Sequence, residues 1–230
     1  DPQRVRGMFG SIARRYDLLN HVLSANIYRS WRRAASRALP EGPLERVLDL
    51  CGGTGDLSLD LLREREIALV VCCDVSHPML LVAREKFATL SRPDRPTLLE
   101  ADGLRLPFPA GSFDAVTVAF GVRNFSDMDG GFSEIHRVLR PSGCLVVLEF
   151  SRPTAPLLAQ LYRLYLRYLL PRLGDRVTGG RGAYGYLART IAAFPDPAAL
   201  AGRIRDAGFA SCEWTARTGG IVALHTARKT

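Results

Sequence analysis

The 230-residue sequence lacks any apolar run near the roughly 18 residues that a membrane-spanning helix needs. Its longest apolar runs, Ile67–Cys73 and Leu145–Leu148, have the length of buried strands. Candidate metal ligands are also few, because the four histidines are scattered and the five cysteines fit no zinc spacing. We therefore expect a globular protein with reduced, buried thiols and no metal site, long enough to bury a core without disulfides.

Lysine is scarce, since only Lys86 and Lys229 are present and the other 29 of the 31 basic residues are arginine. The basic residues concentrate in two zones. Residues 1–40 hold eight arginines against two aspartates, and residues 152–189 hold seven arginines against one aspartate. With a net charge of +8, these zones favour an anionic partner, although charge alone is equally typical of a solvated basic face. We expect no nucleic-acid partner, because aromatic and basic binding platforms are absent.

Five apolar segments alternate with helical patterns along most of the chain. Segments that are apolar throughout are typical of parallel strands covered by helices on both faces. The predicted strands are Arg46–Cys51, Ile67–Asp74, Thr97–Ala101, Ala115–Phe120 and Cys144–Phe150. The predicted helices are Asp56–Arg65, Ser76–Leu90, Asp127–Leu139 and Asp196–Ala207. Ser76 is a predicted N-cap, and Pro141 and Gly143 are expected to end the third of these helices.

Two glycines near the C-terminus, Gly219 and Gly220, predict a hairpin between the strands Ser211–Arg217 and Ile221–Arg228. The predicted fold is therefore an α/β, mostly parallel sheet with a C-terminal antiparallel hairpin. This combination is the usual form of Rossmann-like class I methyltransferases, and we expect that fold here.

Two segments predicted to be helical, residues 1–38 and 156–194, lie outside the predicted sheet. The second begins with the helix Pro156–Leu170, which is apolar nearly all round and therefore has to be covered by other protein, a substrate or lipid. It is predicted as a buried packing helix, as a cap over an apolar substrate, or as a face that rests on a membrane. The single domain, residues 1–230, then divides into an N-terminal helical cap at 1–38, a core at 39–151, a helical insertion at 152–195 and a C-terminal helix and hairpin at 196–230.

A glycine-rich loop follows the first predicted strand and opens the first predicted helix. It reads Asp49-Leu-Cys-Gly-Gly53-Thr54-Gly55-Asp, and glycine lets the backbone turn sharply and lets a ligand approach the amides. Ser58 stands where a dinucleotide-binding loop has its third glycine, which argues against a nicotinamide cofactor. The loop instead resembles the first motif of S-adenosylmethionine (SAM) methyltransferases.

Acidic residues follow the second and third predicted strands. Asp74 ends the second strand, where its carboxylate can accept hydrogen bonds from both hydroxyls of a ribose. Asp102 and Gly103 follow the third strand, where an acidic side chain can bind the adenine amino group. These features, in this order after three successive strands, predict a SAM site. Val75, beside Asp74, and Ala119, at the fourth strand, are further predicted cofactor contacts.

Four further motifs span nearly the whole chain: Arg15–Ser24 followed by Trp31 and Arg32, Phe120–Phe125, Arg137–Ser151, and Thr218–His225. Together they resemble the ubiquinone/menaquinone biosynthesis C-methyltransferase family. The first motif and the Phe-Gly-x-Arg-Asn motif are specific to that family, whereas the third is shared in part with other methyltransferases. The resemblance implies methyl transfer from SAM to a ring carbon of a polyprenylated hydroquinone, which is demethylmenaquinol, the benzoquinol precursor of ubiquinone, or both.

The resemblance also implies that Arg123, Asn124 and Tyr16 serve catalysis. A phenolic hydroxyl has a pKa of about 10, so keeping it ionised at neutral pH costs about 4 kcal/mol. Arg123 can stabilise the oxyanion or hold a water that accepts the proton, because a guanidinium does not readily release its own proton. Asn124 can fix that water, and Tyr16 can complete the cluster. The alternatives are a structural salt bridge of Arg123 with Asp127 or Glu149, and a packing role for Tyr16.

An apolar substrate tail needs an apolar wall, and Leu158–Leu170 and Phe194 are predicted to form it together with the polyprenyl exit. His21 and His136 are the only other candidate bases. The basic zones are predicted to hold the enzyme against an anionic membrane surface. We expect a cytoplasmic protein that is peripheral at the inner face of the cell membrane and forms a homodimer or a quinone-biosynthesis complex. The alternative function is SAM-dependent methylation of another small hydrophobic metabolite.

Overall fold

The computed structural model describes residues 27–90, 95–169 and 183–230, together with Gly7, Gly10, Ala13 and Asp17. Seven strands form one sheet in the order β3-β2-β1-β4-β5-β7-β6. The strands are β1 Leu44–Leu50, β2 Ile67–Asp74, β3 Thr97–Glu100, β4 Phe113–Ala119, β5 Leu139–Phe150, β6 Ser211–Arg217 and β7 Val222–Arg228.

The direction of the strands places a crevice in the middle of the sheet. Strands β1 to β5 are mutually parallel, whereas β7 runs antiparallel to both β5 and β6. From β1 the chain proceeds to β2 and β3 on one side, and then returns to place β4 on the other side of β1. Open α/β sheets bind ligands at such a reversal, at the carboxyl ends of the strands. The predicted α/β fold class is confirmed.

Helices cover both faces of the sheet. Those in the described part of the chain are α1 Ile27–Arg37, α2 Asp56–Glu64, α3 His77–Ala88, α4 Met128–Val138, α5 Pro156–Leu164, α6 Ala183–Ala193 and α7 Pro197–Asp206. Phe132 of α4 and Ile204 of α7 are buried in one apolar cluster, and Trp31 of α1 and Leu61 of α2 are buried in another. Among the described helices, none has the length and hydropathy to cross a bilayer.

The junction between α4 and β5 differs from the prediction. The strand begins at Leu139, directly after the helix, so Pro141 and Gly143 lie inside β5 and do not form the expected helix stop. Lys229 lies at this junction, where its ammonium donates to the carbonyl oxygens of His136 and Leu139 at 2.7 and 2.8 Å. Its backbone N–H also donates to the Gly143 carbonyl at 2.9 Å. The carbonyls of Arg137 and Val138 accept the backbone N–H groups of Gly111 and Ser112 at 3.0 and 2.8 Å, so the end of α4 is satisfied by groups distant in sequence.

Ser76 precedes α3 at the predicted N-cap position, but its hydroxyl makes no capping hydrogen bond and is buried without a partner. Its backbone N–H instead donates to Oδ1 of Asp74 at 2.8 Å. Pro78 occupies the first turn of α3, where a missing N–H costs nothing. The start of this helix is therefore coupled to the carboxylate at the end of β2.

Candidate active site

Five of the predicted site residues line one pocket at the carboxyl ends of the parallel strands. The pocket is open to solvent and contains about 540 Å³ of space when its open mouth is counted. Its lining consists of Leu50, Cys51, Asp74, Val75, Ala101, Asp102, Gly103, Leu104, Asn124, Phe125 and Ser126. The predicted residues Asp74, Val75, Asp102, Gly103 and Asn124 are thus brought together by the fold.

The glycine loop is tied to Asp74. Oδ2 of Asp74 accepts the Gly53 N–H at 2.9 Å, while Oδ1 accepts the Ser76 N–H. Burial raises the pKa of this carboxyl group, and these backbone donors oppose the rise. Gly53 and Gly55 have φ angles of 56° and 79°, and a Cβ added at Gly55 would overlap the ring of Phe87. Glycine is therefore required at Gly55 by both the turn and the packing of α3.

Asp49 lies beneath the loop and not in the lining of the pocket. Its carboxyl group is almost completely buried and accepts hydrogen bonds from the hydroxyls of Ser58 at 2.6 Å and Thr117 at 3.2 Å. Burial raises the pKa of Asp49 to about 7, against the effect of both hydrogen bonds. Asp49 thus joins β1 to the start of α2, and its contact with a cofactor stays a prediction.

The N-terminal segment reaches the glycine loop through Asp17. The Thr54 hydroxyl donates to Oδ1 of Asp17 at 2.5 Å, and Nζ of Lys86 lies 2.5 Å from Oδ2 of the same carboxylate. Thr54 therefore faces the N-terminal segment and does not line the pocket. Tyr16 and His21 lie outside the described residues, so their roles stay predictions.

Ion pairs and a hydrogen bond hold helix α1 against the core. The buried guanidinium of Arg32 pairs with Asp56 and, through Nε at 2.8 Å, with Asp60. The indole Nε1 of Trp31 donates to the Thr218 hydroxyl at 2.8 Å. Thus two side chains of one family motif hold the same helix to α2 and to the turn between β6 and β7.

Strained backbone marks the ends of β1 and β4. Cys51 and Phe120 have φ angles of 58° and 57°, a conformation that non-glycine residues rarely adopt and that clusters at functional sites. A Cβ added at Gly121 would overlap Cys51, so the two chain reversals pack directly against each other. Ala119, the last residue of β4, packs against the apolar cluster that contains Trp31 and Leu61 and does not line the pocket; its cofactor contact stays a prediction.

Arg123 lies in the turn that follows β4, and it is paired. Its Nη1 lies 2.7 Å from Oε1 of Glu149 and also donates to the Phe120 carbonyl. The guanidinium is over the Phe150 ring, with Cζ 5.2 Å from the ring centre, and its side chain is only 4% exposed. The expected alternative, a salt bridge with Glu149, is confirmed, whereas Asp127 instead caps α4. The buried Nε of Arg123 has no hydrogen-bond partner among the residues that the structure describes.

Two tyrosines from the helical insertion lie near Arg123 and Asn124, and the sequence motifs did not predict them. The Tyr186 hydroxyl donates to Oδ1 of Asn124 at 3.2 Å. Burial raises the pKa of Tyr162 and of Tyr186, and the positive charge of Arg123 opposes both increases. Glu149 adds to the rise at Tyr162, and burial raises the pKa of Glu149 itself. The insertion therefore contributes side chains to the site.

The predicted apolar wall has two different faces. Tyr162 is buried, whereas Leu161 and Leu164 are 55% and 47% exposed and turn away from the protein. Phe194 is buried in the core and does not line the pocket. The expectation that the whole run Leu158–Leu170 lines the site is therefore wrong for its exposed leucines, because helical spacing directs them outward. Leu170 lies outside the described residues.

Two histidines, His136 and His225, lie outside the pocket and make structural contacts. The His136 ring packs edge-on against Phe209 with 5.1 Å between ring centres, and burial lowers the pKa of the imidazole. Nε2 of His225 lies 2.9 Å from the Pro197 carbonyl. Since neither ring lines the pocket, neither is placed to act as the base.

Known proteins identify the family to which this arrangement belongs. The ubiE/COQ5 methyltransferase family matches residues 1–229. The chain belongs to this family. It is 42% identical to the ubiquinone/menaquinone biosynthesis C-methyltransferase UbiE of Teredinibacter turnerae, over 99% of this chain and 92% of that protein. It is 46% identical to the demethylmenaquinone methyltransferase of Deinococcus radiodurans (96% and 91% covered) and 47% identical to that of Thermus thermophilus (95% and 98% covered).

Solved structures share the fold of this ubiE/COQ5-family methyltransferase at low identity. A SAM-dependent methyltransferase from Thermotoga maritima matches with a TM-score of 0.66 and 18% identity, covering 97% of this chain and all of that one. Phosphoethanolamine N-methyltransferase 2 of Haemonchus contortus, solved with SAM, matches with a TM-score of 0.61 and 18% identity, covering 86% of this chain and 52% of that one. The predicted class I fold and the predicted SAM-dependent enzyme class are confirmed.

The pocket of this methyltransferase fits SAM. Carboxylates of Asp74 and Asp102 stand after the adjacent strands β2 and β3, where acceptors are needed for ribose hydroxyls and an amino group. Oδ1 of Asp102 accepts the Leu104 N–H at 3.0 Å, which orients the carboxylate. Leu104 and Phe125 supply apolar walls for a flat base. When bound, SAM supplies an electrophilic methyl group; the assignment of single residues to it stays a prediction.

Proposed function

We propose that this methyltransferase methylates a ring carbon of a polyprenylated hydroquinone, either demethylmenaquinol or the benzoquinol precursor of ubiquinone. The relatives whose names refer to menaquinone and ubiquinone support this substrate class. The structural observation that carries the proposal is the buried guanidinium of Arg123, which precedes Asn124, a residue that lines the candidate SAM pocket. A fixed cation at this position suits an oxyanion that develops on an aromatic ring.

One hydrogen-bond donor of Arg123, its Nε, is available to a ligand. Nη1 donates to Glu149 and to the Phe120 carbonyl, and the buried Nε has no partner within the described part of the chain. An unpaired buried donor costs about 1–3 kcal/mol, which an oxygen of a bound substrate or water would recover. Glu149 is therefore a positioning residue that fixes the guanidinium, and Nε is the donor offered to the ring hydroxyl.

The neighbouring polar groups complete an environment for the ionised ring. Burial raises the pKa values of Tyr162 and Tyr186, so both hydroxyls stay protonated at neutral pH and act as donors. Tyr186 orients Asn124, whose amide nitrogen is left to donate. Removing water from this cluster strengthens each of these interactions with a developing negative charge.

The proposed substrate is tested by complementation. A bacterial host that lacks its own quinone C-methyltransferase accumulates demethylated quinones, and expression of this protein should restore the methylated forms measured by mass spectrometry. Restoration of menaquinone, ubiquinone or both identifies the ring. Failure to restore either, by a protein that is folded and binds SAM, contradicts the proposal and favours another small hydrophobic acceptor.

The role of Arg123 is tested with Arg123→Lys, which keeps the charge but loses the planar set of donors. We expect turnover to fall by about a hundredfold or more, with SAM affinity nearly unchanged. Arg203→Lys is the matched control, because Arg203 forms an exposed ion pair with Asp129 on the surface. Near-normal turnover of Arg123→Lys would show that the guanidinium is only structural.

A further inference from the structure

Helix α5 and the π-helical turn Tyr165–Leu169 that continues it expose an apolar stripe. Leu157, Leu161, Leu164 and Tyr168 follow one another at intervals of four, three and four residues, and they are 71%, 55%, 47% and 46% exposed. Side chains with this spacing lie on one face of a helix. Four large apolar or aromatic residues thus form one continuous exposed surface, named here the α5 stripe.

The other face of the same helix is anchored to the protein. Tyr162 is buried close enough to Arg123 and Glu149 for their charges to act on its hydroxyl. Leu158 packs against the turn between β6 and β7, where a Cβ added at Gly219 would overlap it. The helix therefore separates the proposed catalytic cluster from the α5 stripe by about one helix diameter, roughly 10 Å.

The charge around the α5 stripe selects its occupant. Arg163 and Arg167 are exposed on the same segment, and residues 152–169 contain neither aspartate nor glutamate. Arginine beside leucine and aromatic residues is typical of helices that lie in the interface of an anionic bilayer. A second copy of the chain would bring the same arginines face to face in a symmetric dimer, which opposes that alternative.

We propose that the α5 stripe is the surface by which this methyltransferase docks on an anionic membrane. The inference rests on the proposed function, since a polyprenyl tail remains in lipid while its ring is methylated. Docking through α5 places the hydrocarbon boundary on one side of the helix and Arg123 on the other. The ring then has to pass only around one helix to reach the guanidinium.

Vesicle binding tests the docking surface directly and needs no substrate. Flotation uses vesicles of phosphatidylcholine alone and of phosphatidylcholine with phosphatidylglycerol in equal parts. We expect the full chain to prefer the anionic vesicles, and to bind them less as salt rises. The double variant Leu157→Ser with Leu161→Ser should lower binding by about tenfold or more, because both side chains then leave the apolar phase.

Two further variants separate the contributions of charge and location. Arg163→Gln with Arg167→Gln should weaken binding to anionic vesicles and reduce its salt dependence, while leaving neutral vesicles unaffected. Trp214→Ser is the matched control, because Trp214 is a 42% exposed aromatic residue on β6 and does not belong to the α5 stripe. It should bind as the unmodified chain does. Thermal melting checks that every variant is folded.

Several outcomes overturn the proposal. Unchanged vesicle binding by the double serine variant, or an equal loss in Trp214→Ser, would place the membrane contact elsewhere. A dimer that the double serine variant converts to a monomer, with vesicle binding unchanged, would assign the α5 stripe to a second copy. Failure of the proposed function is distinguishable, because it is seen in the complementation assay while vesicle binding by the stripe persists.

Discussion

The buried carboxyl group of Asp49 makes the stability of this protein depend on pH. Burial raises its pKa from 3.8 to about 7. Between these two values the folded protein binds a proton that the unfolded chain releases, so the free energy of unfolding falls as pH rises. The full shift corresponds to about 4 kcal/mol, of which about 3 kcal/mol is lost between about pH 5 and about pH 8.

Asp49→Asn removes this titration while keeping a side chain of similar shape that can still accept a hydrogen bond from Ser58 or Thr117. We expect denaturant unfolding, measured with a thiol reductant across the same pH interval, to show a flatter profile in the variant. The difference between the variant and the unmodified protein should change by about 3 kcal/mol from about pH 5 to about pH 8, in favour of the variant at high pH.

Ser58→Ala is the companion variant, because it keeps the carboxyl group and removes a hydrogen bond that lowers its pKa. The pKa of Asp49 should then rise further, and the loss of stability should extend to higher pH. Parallel pH profiles for Asp49→Asn and the unmodified protein would refute the reasoning, since the carboxyl group would then titrate alike in the folded and unfolded states.

Three other predictions concern the replacement of single side chains. Asp74→Ala should weaken SAM binding by about a hundredfold or more in calorimetry, because charged hydrogen bonds to two ribose hydroxyls are lost; unchanged affinity would contradict the cofactor assignment. Lys86→Met should lower the melting temperature by a few degrees, because the half-buried ion pairs of Lys86 with Asp17 and Asp56 are together worth about 1 kcal/mol; an unchanged melting temperature would show that the two pairs contribute nothing. Ile135→Ala, at a fully buried position, should cost about 2–5 kcal/mol in denaturant unfolding, whereas Leu157→Ala, at an exposed one, should change stability by less than about 0.5 kcal/mol; equal effects would contradict the assigned burial.

The candidate cofactor pocket was predictable because the residues that line it follow strands directly in the sequence. Asp74 and Asp102 each follow a strand directly, and parallel strands end at one edge of a sheet, so the order of the chain already implies that these residues meet. Apolar runs and turn residues likewise place most elements within about two residues of their observed bounds. Two bounds differ by more: β5 begins at Leu139, directly after α4, and the predicted helix Pro156–Leu170 changes at Tyr165 from an α-helix to a π-helix.

The substrate side of the site depends on contacts between distant segments. From the chain alone, Arg123 has two possible partners, and only packing selects Glu149, which lies 26 residues away and almost fully buried. The bond from Tyr186 to Asn124 spans 62 residues and belongs to no motif. Local pattern determined the sheet, the glycine loop and the acidic residues, since each depends on neighbours in sequence. The tertiary structure decided that Glu149 pairs with Arg123 and which face of α5 is exposed, because burial is a property of the assembled layers.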